Sequence, residues 1–252
     1  MRFPLRLRAE LFRYRLLRVF SPRAGAPILP FSPLAMQVSR RRYLDASAQD
    51  PQWLSPEECV RLAGASPVLW LGGSEPLLHP EIGEVASALV QSGRHVFLHT
   101  SGVDLRKRIH EFRPQSRLFF AVEFAGRAGV HDARAGRPGA FSRAMESIRA
   151  AKLSGFLVCA HVTVDAQTGV CGIDELFETL DEKDVDGFVV SSGGARHSAA
   201  LVRKLEEIRG IIRHGGWEQF SVLLESGFAE LAAAPAHRQL PGAPAGALED
   251  AD

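Results

Sequence analysis

A chain of 252 residues, 46% hydrophobic and 23% charged, is long enough to bury a full core as one α/β domain, and its composition is that of a globular protein. It has no run of the ~18–20 apolar residues that a membrane span needs, no apolar segment with a small-residue cleavage site at its start, and only Cys59, Cys159 and Cys171, too scattered for a disulfide framework; a reducing cytoplasm is the expected compartment. The net charge of +1 is unevenly divided: residues 1–42 hold ten Arg against Glu10 alone, so the rest of the chain is net negative, and the basic head calls for an anionic partner or for the acidic body of its own protein.

Residues 4–20 predict a helix with Leu5, Ala9, Phe12, Leu16 and Phe20 on one face and Arg6, Arg8, Arg13 and Arg18 around it. Pro22 and Gly25 end it. Such a helix can cap the bottom of the folded domain with its Arg stems lying along the surface. It can equally lie in the plane of an anionic membrane, which would make the protein peripheral at the inner membrane face. Nucleic acid is not expected, since only Tyr14 is interleaved with the Arg residues and no known module is present.

Residues 27–31, PILPF, predict a short first strand, and 32–54 an irregular polar stretch. Ser55-Pro56-Glu57-Glu58 is a helix start, with Ser as cap and Pro in the first turn. Strands are then predicted at 67–71, 95–99, 117–124, 156–164 and 187–192, and helices at 80–92, 104–111, 139–154, 175–183, 198–213 and 217–233. From 232 to 252 the chain is rich in Ala, Pro and Gly and predicts a disordered tail.

Short apolar strands alternating with helices predict parallel βαβ units. Six repeats are too few for a closed eightfold barrel. An open barrel and a doubly wound sheet both remain, and periodicity does not separate them. In either, chemistry sits at the carboxyl ends of the strands, here Gly73-Ser74-Glu75-Pro76, Thr100-Ser101-Gly102 and Glu123-Phe124-Ala125-Gly126. Glycine lets backbone approach a ligand, and Glu75 offers it a carboxylate; a carboxylate there is also favourable as a plain helix cap.

The order PVLWLGGSEPLLHPEI, HVFLHTSG, LFFAVEFAG…HD…GAFSRAMESIRAAKLSGF resembles the radical S-adenosylmethionine (SAM) enzymes of the hopanoid-lipid, adenosylhopane synthase-like type. The resemblance runs from the N-terminal helix to about residue 192. It implies a partial (βα)₆ TIM-like barrel over 27–231, with the basic amphipathic helix of residues 1–26 before it. In that family a Gly-Gly-Glu turn contacts the amino group of SAM. Gly73 and Glu75 match it, with Ser74 in place of the second glycine. Thr100 and Gly102 match the next turn, with Ser101 where Asn is usual. The family's fourth-strand Asp and Ser fall on Ala125 and Ala121.

The family also carries Cys-x-x-x-Cys-x-x-Cys after its first strand, three thiolates that leave one iron of a [4Fe–4S] cluster free for SAM. Residues 35–49, AMQVSRRRYLDASAQ, contain no cysteine, and Cys59 falls where the family has a cysteine that ligates nothing. No [4Fe–4S] cluster and no catalytic residue is therefore expected, and only weak residual SAM binding at Gly73, Ser74, Glu75, Thr100 and Gly102. Counted by twos from the family's inward positions, Glu75, His99, Glu123 and His161 point inward near one rim. Two imidazoles and two carboxylates suit Zn²⁺, Fe²⁺ or Mn²⁺; the same parity also describes water-bridged polar residues. His79, His110, His131 and His197 are expected at the surface or in loops. Arg40–Arg42 is either a solvated run or an anion site at the barrel mouth.

The resulting expectation is a radical-SAM-fold protein without catalysis, an accessory partner of a complete radical SAM enzyme in a lipid or small-molecule pathway. The alternatives are an enzyme of another class using the Glu/His rim with a metal, and an atypical radical SAM enzyme.

Overall fold

The computed structural model describes residues 3–20, 27–31, 53–73, 75–192, 198–212 and 215–233. Residues 35–49 with Arg40–Arg42, Ser74, His197 and the tail from 234 onward lie outside these. Helix α1 (Leu5–Phe20) precedes β1 (Ile28–Phe31). Then come α2 (Pro56–Leu62), β2 (Val68–Leu71), α3 (Ile82–Gln91), β3 (His95–Thr100), α4 (Leu105–Arg108) and β4 (Leu118–Phe124). The chain continues through α5 (Ala128–Ala135), α6 (Ala140–Leu153), β5 (Leu157–Thr163), α7 (Val170–Asp181), β6 (Gly187–Ser191), α8 (Ala199–Ile211) and α9 (Gly215–Ala233).

Local sequence explains most boundaries. Ser55 and Glu58 form a reciprocal capping box at the start of α2, with Pro56 in its first turn. Helix α3 buries Ile82, Val85, Ala86, Leu89 and Val90, the i, i+3, i+4, i+7, i+8 stripe of an amphipathic helix. Helix α7 buries Ile173, Leu176, Phe177 and Leu180 in the same way, but starts at Val170, ahead of the predicted 175, because Gly172 hides its first turn. Helix α5 was not predicted: it is short, buries only His131, and stops at Gly136 with φ +62°.

The six strands are all parallel and pair in chain order, β1-β2-β3-β4-β5-β6. A doubly wound sheet reverses its strand order at a switch point; this one does not, which decides for the open barrel. Helix α9 packs on both edge strands, β6 and β1. In a flat six-stranded sheet those edges would stand about 24 Å apart, and a helix touching both would have to lie across the strands between them; α9 instead packs chiefly on the two edges, so the sheet curls into a half-barrel.

An aromatic layer fills the inner face. Trp70, Phe97 and Phe119 share one row of the register. Phe97 stacks on Phe119 at 4.4 Å and 7°, and Phe220 of α9 lies 4.7 Å from Phe97. Trp217 meets the Phe97 and Phe119 rings edge-on. A Cβ on Gly187 would sit 2.0 Å from the Trp217 ring and one on Gly227 2.5 Å from the Ile28 carbonyl oxygen, so glycines let α9 close on both sheet edges.

Phe3, just before α1, packs edge-on against Trp217 at 4.9 Å, and Leu7 and Leu11 enter the core. Helix α1 therefore covers the barrel near the amino-terminal start of β6. Its docking face is not the stripe picked out in the sequence. Leu5, Phe12 and Leu16 are 80%, 61% and 49% exposed, whereas Leu7 and Leu11 are 0% and 7% exposed. The insertion of Phe3 against Gly216 and Trp217 sets the helix rotation, and hydrophobic periodicity does not register that anchor.

Two of the histidines expected at the surface or in loops are buried. His79 accepts from the Glu81 N–H at Nδ1 (2.9 Å), so its Nε2–H donates to the Leu54 carbonyl (2.8 Å). It thereby ties the start of α2 to the start of α3. His131 is packed beside Phe124 and Phe141, and its Nδ1 accepts from the Ala125 N–H at 3.3 Å. His110 is exposed as expected.

Candidate functional site

The rim at the carboxyl ends of β2–β6 gathers the residues singled out in the sequence. Glu75 caps a single 3₁₀ turn, Pro76–Leu78. Its Oε1 accepts from the Leu77 N–H at 3.3 Å, and its Oε2 accepts from the Ser101 N–H at 2.9 Å and the Ser101 hydroxyl at 2.8 Å. The serine that stands where the family has Asn thus locks the carboxylate to the neighbouring turn. Thr100 is buried and accepts from the Gly102 N–H through Oγ1 at 3.1 Å.

Gly102 has φ +75°, and a Cβ there would lie 2.8 Å from a Val122 methyl. Its carbonyl accepts from Ser147 of α6 at 2.6 Å. This glycine lets a turn approach β4 and α6 closely, which explains it without any ligand. Gly73 is exposed at φ +89°. Ala121 and Ala125 offer only methyl groups at the two positions where the resemblance expects polar ones.

Deeper in the lumen, three of the four inward-parity residues meet. Glu123 and His161 are direct partners in the β4–β5 register. His161 Nδ1 lies 2.9 Å from His99 Nε2, and its Nε2 lies 2.8 Å from the Ser191 hydroxyl. Glu123 Oε2 stands 3.7 Å from His99 Nε2, and the Thr163 hydroxyl donates to its Oε1 at 3.4 Å. Trp70 floors the group, stacked under His99 at 5.3 Å and edge-on to His161 at 5.0 Å.

Burial, and then the neighbouring His99, hold the His161 pKa well below the ordinary histidine range. A neutral imidazole has one N–H and one lone pair, so the chain Ser191–His161–His99 runs in one direction at a time. The geometry can pass a proton between the buried serine and the mouth of the lumen.

Of the four residues considered for a metal, Glu75 stands apart from the other three. Glu75 is held at the Ser101 turn. Both His161 nitrogens already have hydrogen-bond partners. Among the described residues no three His, Cys, Asp or Glu side chains gather as a metal ion requires. Ser191 was missed in the sequence reading, although counting by twos along β6 from Gly187 reaches it. Arg209, Glu225 and Ser192 were missed as well. Glu225 accepts from the Ser192 N–H at 3.0 Å and pairs with Arg209 at 3.2 Å, tying α8 and α9 to the end of β6. Two separate helices supply these charges, and no local pattern joins them.

The cysteines do not fit an iron–sulfur cluster. Cys59 is buried in α2 with its thiol directed at the Leu54 carbonyl, and burial together with Glu58 pushes its pKa up to about 12. Cys159 is buried within β5, where burial holds its pKa well above the ordinary thiol value, and Cys171 is exposed on α7. Iron takes thiolates from one shared site; here the three thiols lie on three separate elements, two of them in the core.

A protein-family model, described as the radical SAM superfamily, matches residues 39–182, more than half of the chain. An AdoMet-dependent heme synthase of Methanosarcina barkeri (strain Fusaro / DSM 804) is 30% identical over 118 residues, 46% of this chain and 32% of that protein. Streptococcus suis SuiB bound to S-adenosylmethionine superposes with a TM-score of 0.53 at 13% identity, over 77% of this chain and 50% of SuiB. SuiB alone gives 0.52, over 73% and 46%. The chain thus spans a third to a half of the length of these relatives, and at such identity the structural likeness shows the fold alone. The family match covers most of a parallel half-barrel whose strands follow in chain order, and this chain belongs to the radical SAM superfamily.

Proposed function

We propose that this chain is a radical-SAM-fold protein that has left radical chemistry and serves as an accessory partner of a complete radical SAM enzyme. The pathway class that its hopanoid-type resemblance favours is lipid or small-molecule biosynthesis. One observation carries the reading: the Glu75 carboxylate, the group matched to the SAM amine, accepts from three donors of its own chain. Ala121 and Ala125 at the fourth strand and the scattered cysteines support it. Those donors fill three of the roughly four acceptor sites of a carboxylate, so a ligand would gain at most one contact there, against the cost of ordering a flexible molecule.

Titration calorimetry with SAM tests this. The expected result is no binding tighter than about 1 mM. Micromolar binding that Glu75→Ala abolishes would show a working SAM pocket and refute the accessory reading.

A further inference from the structure

We infer that α1 is an in-plane membrane helix, docked to the barrel by one face and to an anionic lipid bilayer by the opposite one. Leu7 and Leu11 hold the helix to the core. At about 100° per residue, Leu5, Ala9, Phe12 and Leu16 fall on the side facing directly away from them. These four residues are exposed, and they form an apolar stripe about 16 Å long. Exposed Arg8 and Arg15 line one flank of the stripe, and exposed Arg6 and Arg13 the other, where Leu17 is also half exposed. Glu10 lies toward the barrel and is partly buried, so no acidic side chain interrupts the outer face between residues 5 and 17.

An apolar ridge with guanidinium groups along both sides fits the boundary between lipid tails and anionic headgroups. A second copy of the chain would bring Arg rows against Arg rows, and nucleic acid offers nothing to Leu5, Phe12 and Leu16. The contact lies in the membrane plane, since no described helix is long and apolar enough to cross a bilayer. It places the underside of the barrel on the membrane and turns the rim with Glu75, His99 and His161 toward water.

Co-sedimentation of the full chain with phosphatidylcholine vesicles, with and without phosphatidylglycerol and at low and high salt, tests the inference. Binding is expected only with phosphatidylglycerol, and it should weaken as salt is raised. Phe12→Ser with Leu16→Ser, and separately Arg8→Glu with Arg13→Glu, should each lower it about tenfold or more. Thermal unfolding should not change, because all four side chains are exposed. Four results would overturn the inference: wild type left in the supernatant with phosphatidylglycerol vesicles, equal binding to neutral vesicles, binding that the Phe12→Ser, Leu16→Ser variant retains, or a self-association in solution that this variant abolishes.

Discussion

Replacing Trp217 with alanine should lower the unfolding free energy by about 4 kcal/mol. Trp217 is fully buried and meets Phe3, Phe97, Phe119 and Phe220. The absence of a side chain at Gly187 leaves the space its ring occupies. Removing the ring opens a cavity between the inner sheet face, α9 and the segment leading into α1. Rigid strands on one side keep that cavity from collapsing. Among the described residues the indole N–H has no hydrogen-bond partner, so the substitution forfeits packing and no polar contact. Trp217→Phe should accordingly cost only about 1 kcal/mol, since it keeps much of the aromatic contact and removes an unsatisfied donor. Urea unfolding of both variants checks the pair of values. A cost below about 1 kcal/mol for Trp217→Ala would mean that α9 does not belong to the barrel core.

Glu225→Ala should cost about 3 kcal/mol. Arg209 and Glu225 are 11% and 15% exposed, so solvent screens the pair only slightly. Deleting the carboxylate leaves a largely buried guanidinium without its paired counter-charge, with Glu206 and Glu218 acting on it more weakly, and deprives the Ser192 N–H of its acceptor. Exchanging both members, Arg209→Met with Glu225→Met, removes the orphaned charge along with its partner, and should be less destabilising than Glu225→Ala alone. The same unfolding titration reads the difference. A double variant that is the less stable of the two would show that the ion pair itself, rather than the penalty for breaking it, holds α8 and α9 on β6.

The sequence alone makes the strand–helix alternation legible because each buried strand is a short apolar run closed by a turn, and helices such as α3 and α7 show one apolar stripe. Parity also brings His99, Glu123 and His161 together, since all three lie inside regular strands where side chains alternate strictly. It fails at Glu75 for a physical reason. Strand β2 ends at Leu71, and the chain then turns through Gly73 at φ +89°, so counting by twos no longer applies four residues later.

What stayed hidden depends on contacts between distant segments. Helix α9 reads as apolar on most sides, and nothing local says that it will bridge β6 and β1. The rotation of α1 follows from Phe3 finding Trp217, more than two hundred residues away in the chain. His79 and His131 sit in connecting segments that composition marks as polar, yet each is folded back against the core by a backbone partner.

Anaerobic reconstitution of the full chain with iron and sulfide, followed by iron counting and visible absorption, asks most directly whether this member of the superfamily still holds the cluster on which radical SAM chemistry depends. The expected result is no stoichiometric iron and no thiolate-to-iron absorption band. About four irons per chain with that band, both lost when Cys59, Cys159 and Cys171 are replaced by serine, would contradict it.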